Sequence, residues 1–236
     1  MKTISTQPSR PLWHIIAALG FIFAAGSQMA GAAVAQEIGC GSLAQDYGPY
    51  DYRTERLGKL LVVEKFHFTP QVEELMKGQS SYLGDDLSFV LRASPNHHRA
   101  LLAVMRYGEK TKSPQPPHLQ YSIDCYFDRA IRFQPNDTLV RLIYAQYLGK
   151  TGRAPQAVQQ LKIATEQAND NPLAHYNIGL IYFELKKFDE ALAQAHTAIQ
   201  LGYVRPELTD ELKGVGKWRD PPATAAPPET PSSAAQ

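Results

Sequence analysis

In the second half of the chain, apolar and polar positions repeat with a period of 34 residues. One copy begins at Thr138 and the next at Pro172. Within each copy, apolar residues recur every three or four positions in two stretches joined by a polar turn, which predicts two amphipathic helices. Small residues recur where two antiparallel helices have to approach closely. The aligned small residues are Ala145 with Gly179, Ala157 with Ala191 and Ala164 with Ala198.

The copy that begins at Pro172 also carries aromatic residues at fixed offsets, and it resembles the tetratricopeptide repeat (TPR) family. The residues that carry this resemblance are Gly179, Tyr182, Phe188, Ala191 and Ala198. The aromatic residue usual at the fourth position is replaced by His175 and, one repeat earlier, by Arg141. The resemblance implies an all-α fold, a short solenoid of helical hairpins with repeats at residues 138–171 and 172–205.

A third, degenerate repeat is predicted at residues 98–137. It is six residues longer than the period, and the excess matches the proline-rich residues 113–118, which cannot lie in a helix interior. After the last repeat, residues 206–214 form a short amphipathic stretch that ends at Gly214. Because a stack of helical pairs leaves an apolar face open at its end, we predict that this stretch is a capping helix.

Residues 36–95 give a weaker pattern, and we expect an irregular N-terminal region with short helices. One of them is predicted to begin at Pro70, at the first helical position, and to stop at Gly78. Another is predicted at residues 85–93. The run of two leucines and two valines at residues 60–63 favours an extended stretch.

The two ends of the chain differ from the rest. Residues 1–35 have a basic start, an apolar run at residues 12–25 and an Ala-x-Ala ending, the order of a secretory signal peptide. We expect cleavage near Ala35 and a periplasmic or secreted mature protein; the alternative is an inner-membrane protein anchored by an uncleaved N-terminus. Residues 218–236, rich in proline and alanine, have too little apolar surface to offset their ordering entropy, which predicts a disordered tail.

The charge of the mature chain is close to zero. Without Lys2 and Arg10, the 24 basic and 23 acidic residues of the full chain become 22 and 23, a net charge of −1. Such a balance gives no support for nucleic acid or an anionic membrane surface as partner. No segment after the N-terminal run is apolar enough to span a membrane, so we expect no membrane insertion of the mature chain.

The chain has two cysteines, Cys40 and Cys125. In an oxidising compartment an even number suggests a disulfide, which would join the N-terminal region to the middle of the fold. The alternative is two unpaired thiols, with Cys125 acting as a small buried residue on a helix.

Residues typical of catalysis or metal binding are scattered rather than grouped. There is no phosphate-binding loop, no nucleophile elbow and no paired C-x-x-C motif. His97 and His98 are adjacent and point in different directions on a helix, so they do not suit one metal ion. We expect Asn96 to cap that helix, with the two histidines in its first turn. The sequence therefore predicts a non-catalytic protein without a metal or another cofactor.

In TPR proteins the first helix of each pair lines a concave groove, and the resemblance implies such a groove here. The expected groove residues are Leu139, Leu142, Gln146, Leu173, Tyr176, Leu180 and Phe183, with Arg99, Leu102 and Arg106 as weaker equivalents from the degenerate repeat. Arg99, Arg106 and Arg141 would form a basic end. An apolar, aromatic groove of this kind suits an extended or helical peptide. The alternative is a groove filled by the N-terminal segment or the terminal helix.

The function expected from these patterns is protein–protein interaction by a periplasmic repeat protein, as an accessory subunit of an envelope or export assembly. Two alternatives stay open. One is a small enzyme or ligand-binding protein with its site between residues 36–95 and the repeats. The other is a structural subunit that self-associates through its repeats.

Overall fold

The computed structural model describes residues 39–221, which contain eleven α-helices and no β-strand. The expected signal peptide, residues 1–35, and most of the expected tail lie outside these residues. The helices are α1 Tyr52–Glu55, α2 Leu60–His67, α3 Pro70–Glu73, α4 Leu83–Ala93, α5 His98–Thr111, α6 Ile123–Phe133, α7 Thr138–Lys150, α8 Ala154–Ala168, α9 Pro172–Glu184, α10 Phe188–Gln200 and α11 Pro206–Gly214.

The sequence period reappears in the positions where helices begin. Thr138, Pro172 and Pro206 begin α7, α9 and α11 at intervals of 34 residues, and α8 and α10 begin 34 residues apart. Helices α7 with α8 and α9 with α10 pack as hairpins, and α9 also packs on α7. Ala145 and Ala157 are fully buried, as the close approach of two helices requires.

Helix α11 closes the last hairpin. Its buried Leu208 and Leu212 belong to the core formed with α9 and α10. Gly179 leaves room for this contact, because a Cβ added there would lie 2.5 Å from Cδ2 of Leu208. The other side of α11 is polar, with Asp210 and Glu211 exposed. The described C-terminal end of the stack is therefore covered by a polar surface.

Helices α5 and α6 form the first helical pair. Residues 112–122 connect them, a longer connection than in the two pairs that follow. This connection packs on α4. Gly84 makes that possible, since a Cβ there would overlap the carbonyl oxygen of Pro117 and come within 2.8 Å of the backbone nitrogen of Leu119. The Tyr126 hydroxyl donates to Ser88 Oγ at 2.8 Å, which adds a buried hydrogen bond between α6 and α4.

The N-terminal region is more helical than the sequence predicts. The expected extended stretch at residues 60–63 is wrong, because these residues begin α2. Leu60 and Val63 lie one helical turn apart and are buried in the core, and α2 packs against α4. Helix α3 ends at Glu73 rather than near Gly78, and Leu75 then takes a left-handed backbone conformation with φ of 56°. In α2, burial of Leu60 and Val63 on one side of a helix thus overrides the β-preference of the segment.

The first residue of the expected disordered tail packs on the last helices. Trp218, expected to be disordered, is half-buried against the core formed by α9, α10 and α11. Its ring lies 5.2 Å from that of His196, and the carbonyl oxygen of Arg219 lies 2.7 Å from His196 Nε2. Trp218 is therefore packed, whereas Arg219 and Asp220 are exposed, and the rest of the expected tail lies outside the described residues.

Candidate protein-binding surface

Helices α5, α7 and α9 lie side by side, with α7 packed on both of the others. Leu139 near the start of α7 and Leu173 near the start of α9 are 42% and 48% exposed. They are one period apart and occupy the same place on adjoining helices. We call the exposed surface of α7 and α9 around these two leucines the leucine surface.

The other predicted groove residues are less accessible. Leu142 and Tyr176, at 4% and 9% exposed, belong to the core instead of a free surface. Gln146, Leu180 and Phe183 are half-buried, and the ring of Phe183 lies 5.4 Å from that of Phe188 on α10. The expectation that all seven residues line an open groove is therefore wrong; Leu139 and Leu173 are its exposed members.

The α5 end of the predicted groove is covered by α3 and the turn that follows it. Arg99 Nε donates to Glu73 Oε1 at 2.8 Å, and Arg99 Nη1 lies 3.7 Å from Glu64 Oε2. Arg106 Nη2 donates to the carbonyl oxygen of Glu73 at 2.8 Å. The hydrogen bond from Arg99 is the main reason why the pKa of Glu73 is lowered. Of the predicted basic end, Arg99 is therefore paired with carboxylates of the N-terminal region, and Arg106 is bound to a backbone carbonyl of the same region.

Arg141 is also buried and hydrogen-bonded within the protein. It is 8% exposed, donates from Nη2 to the carbonyl oxygen of Pro135 at 2.9 Å, and donates from Nη1 to Gln160 Oε1 at 2.9 Å. These bonds tie the turn between α6 and α7 to α8. Burial lowers the pKa of this guanidinium. Arg141 therefore substitutes for the usual aromatic residue as a packed side chain.

The α9 end of the surface is covered by α11 and the turn before it. The Tyr176 hydroxyl donates to Glu207 Oε2 at 3.1 Å, and the Tyr176 ring lies 5.2 Å from that of Tyr203. Burial, followed by the bond to Glu207, raises the pKa of Tyr176. Both ends of the predicted groove are thus occupied by other parts of the chain, and the leucine surface lies between them.

A disulfide and two arginines hold the start of the N-terminal region on α6. Cys40 and Cys125 are joined, with an Sγ–Sγ distance of 2.06 Å and a Cα–Cα distance of 5.1 Å. Arg129 Nη1 donates to the carbonyl oxygens of Cys40 and Ser42, both at 2.8 Å. Arg132 donates to the next carbonyl, that of residue 41, at 3.1 Å. The segment is therefore fixed by a covalent bond and by three hydrogen bonds.

A buried polar network, which the sequence did not reveal, joins the N-terminal region to α5 and α7. Asn96 accepts from the backbone nitrogen of Tyr52 at 3.0 Å and donates to Asp51 Oδ1 at 2.7 Å and to Asp137 Oδ2 at 2.9 Å. His98 Nε2 lies 2.9 Å from Asp137 Oδ2. Burial alone would raise the pKa of Asp137, but the bonds from His98 and Asn96 keep it lowered.

His97, and not Asn96 as predicted, caps α5. Its Nδ1 accepts from the backbone nitrogen of Ala100 at 3.1 Å, and its Nε2 lies 3.1 Å from Glu64 Oε1. The acceptor role of Nδ1 places the proton on Nε2, so a neutral imidazole satisfies both contacts. The side chain is fully buried, and burial lowers its pKa below the usual 6.5. The Asn96 side chain instead makes the hydrogen bonds of the buried network described above.

One cleft of about 450 Å³ opens between the C-terminal ends of α5 and α7. It is lined by Glu109, Tyr147 and Lys150, among others, and Lys150 Nζ lies 2.9 Å from Glu109 Oε1. This ion pair and a tyrosine do not form a nucleophile with a base. Across residues 39–221, no group of three or more His, Cys, Asp or Glu side chains is arranged to hold a metal ion.

Comparison of the chain with family models, with curated proteins and with solved structures finds no match. In the described part of the chain, no helix combines the length and the apolar character needed to cross a bilayer.

Proposed function

We propose that this chain is an exported, TPR-like repeat protein that binds another protein through the leucine surface and performs no catalysis. The observation that carries this proposal is the exposure of Leu139 and Leu173, 42% and 48%, at equivalent places on two adjoining helices. Two leucines in one place on a helical stack form an apolar strip that a partner can bury. The signal-peptide pattern supports export to the periplasm or outside the cell, where we propose that the protein acts as an accessory subunit of an envelope or export assembly.

The arrangement favours a short partner segment over a long one. Because α3 covers the α5 end and α11 covers the α9 end, the strip is about two helices wide. Adjacent packed helices are separated by about 8–10 Å, so a partner would place two apolar side chains about that far apart. The contact between residues 36–95 and the repeats is occupied by the Arg99–Glu73 pair and the Asn96 network, which favours binding over an enzyme site located there.

The test is partner capture by crosslinking in the envelope of the native host, with the double variant Leu139→Ser/Leu173→Ser. Both residues are exposed, so the variant should unfold at nearly the wild-type temperature. We expect it to lose the crosslinked partner that the wild-type protein retains. Leu201→Ser, a change of the same kind at the 36% exposed residue that follows α10, is the matched control and should keep it.

Two results would count against the proposal. One is capture of the same partner by the double variant at the wild-type level, which would move binding to another surface. The other is turnover of a small molecule by the purified protein that survives both leucine changes, which would favour an enzyme.

A further inference from the structure

Helix α2 and the turn before it expose apolar side chains. We call these residues the α2 face; they are Leu57, Leu61, Val62 and Phe66, which are 83%, 51%, 47% and 51% exposed. A helix at the surface of a globular protein normally has charged or polar residues on its outer side. No described residue covers the α2 face, so this end of the stack differs from the polar end formed by α11.

Packing inside the protein does not require these side chains. The inner side of α2 is supplied by Leu60 and Val63, which are buried, and by Glu64, which contacts His97. Leu61, Val62 and Phe66 lie toward the outer side of the same helix and are about half exposed. Both sides of α2 are therefore apolar although only one is packed, which is typical of a helix whose outer side contacts something else.

Basic residues surround the α2 face. Arg56 and Lys59 in the preceding turn and Lys65 within α2 are exposed. The Lys59 ammonium lies 4.8 Å from the ring centre of Tyr50, and that of Lys65 lies 5.3 Å from the ring centre of Phe66. In both contacts the ammonium itself lies over the aromatic ring, a cation–π arrangement that keeps the positive charge beside the apolar side chains of the α2 face.

The nearby acids mostly have partners already. The Asp51 carboxylate accepts from Arg53, and this contact lowers the pKa of Asp51 to about 2. The Glu64 carboxylate contacts His97 and faces away from the α2 face. Glu55 and the exposed Asp46, which precedes the Tyr47 that donates to the Lys59 carbonyl oxygen, remain as neighbouring acids. Arg56, Lys59 and Lys65 therefore outnumber these two acids around the α2 face, although the expected mature chain is nearly neutral.

We propose that the α2 face docks on an anionic lipid surface, with its apolar side chains inserted at the headgroup level and its three basic residues against the headgroups. Protruding aliphatic and aromatic side chains with basic neighbours are the chemistry of interfacial binding. A second copy fits less well, because a two-fold contact would bring Lys59 and Lys65 of both copies together. An apolar cleft of about 200 Å³ beside the α2 face, lined by Val62, Phe66 and Phe89, has room for part of an acyl chain.

The test is co-sedimentation of the exported, processed protein with vesicles of phosphatidylglycerol and phosphatidylcholine, and with vesicles of phosphatidylcholine alone. We expect sedimentation with the anionic vesicles only, weakened by added salt. Lys59→Gln/Lys65→Gln should lower the partition coefficient about 30-fold, since each basic residue near such a surface contributes about fivefold. Leu61→Ser/Phe66→Ser should abolish sedimentation while the melting temperature stays within a few degrees of wild type.

Leu139→Ser/Leu173→Ser is the matched control, because it changes two apolar residues of similar exposure on another surface. It should sediment like the wild type, so a failure of the protein-binding proposal does not affect this result. Equal sedimentation with uncharged vesicles, or none with anionic ones, overturns the lipid proposal. So does a dimer in light scattering that Leu61→Ser/Phe66→Ser converts to a monomer without vesicles, which would make a second copy the occupant.

Discussion

Removing the disulfide should cost much of the stability of this protein while leaving the folded structure almost unchanged. The perturbation is the double variant Cys40→Ala/Cys125→Ala. Both cysteines are nearly buried, at 6% and 5% exposed. In the folded state Arg129 still holds the same segment through the carbonyl oxygens of Cys40 and Ser42. The effect should therefore come mainly from the unfolded chain, which loses a crosslink.

The magnitude follows from the length of the loop that the disulfide closes. The two cysteines are 85 residues apart. Loop-closure entropy for that length corresponds to about 4.6 kcal/mol at 25 °C. The free energy of unfolding of a protein domain is about 5–15 kcal/mol, so losing the disulfide would remove a large fraction of it.

The assay is urea unfolding followed by circular dichroism, at one protein concentration, for the wild type and the double variant. Thiols are counted in the denatured, unreduced wild type, where we expect none. Wild type kept reduced throughout is the control, and it should unfold at nearly the same urea concentration as the variant. A difference below about 1 kcal/mol, or two titratable thiols in the exported wild type, would refute the reasoning.

Three further results are expected. The free energy of unfolding should fall as the pH is lowered from about 7.5 to 5, because burial holds the pKa of His97 below 6.5 and in this window only the unfolded chain binds a proton at this residue. Urea midpoints across this pH range measure the loss. Glu64, whose pKa is lowered mainly by its bond to His97, adds a further loss only below about pH 4.5. Gly84→Ala should cost about 1–3 kcal/mol, because its Cβ overlaps the backbone of Pro117; an unchanged melting temperature would contradict the close packing of that loop on α4. Leu208→Ala should cost about 2–5 kcal/mol, since this capping side chain is 1% exposed; a loss under 1 kcal/mol in urea unfolding would mean that α11 does not cover the last hairpin.

The helical class and the repeat starts could be predicted because the signal is local and regular. The interval from Thr138 to Pro172 and the proline at position 206 mark three helix starts, and all three are found there. The prolines of residues 113–118 interrupt a helix wherever they occur, so the insertion between α5 and α6 was also visible in the sequence. The small residues at Ala145 and Gly179 indicated close helix contacts, although the nearest neighbour of Gly179 proved to be Leu208 on α11 and not its own partner helix.

The sequence pattern could not predict which other parts of the chain cover the predicted groove. Whether Arg99 is free depends on Glu73, which lies 26 positions earlier and meets it only after α3 packs on α5. The cap of α5 moved from Asn96 to His97 because the backbone N–H of Tyr52, distant in sequence, donates to the Asn96 Oδ1 that a cap would use, while Asp51 and Asp137 accept from its amide nitrogen. A pattern along the chain contains no information on which distant polar groups will compete for one side chain.

The two ends of the helical stack differ in a way that limits how copies of this chain can assemble. The α2 face is apolar, whereas the outer side of α11 carries Asp210 and Glu211. Head-to-tail growth needs two unlike surfaces that fit each other; the basic residues beside the α2 face would meet the carboxylates of α11, but its four apolar side chains would then be buried against charged groups. Open filaments are therefore disfavoured, and any self-association through the apolar end would stop at a closed pair.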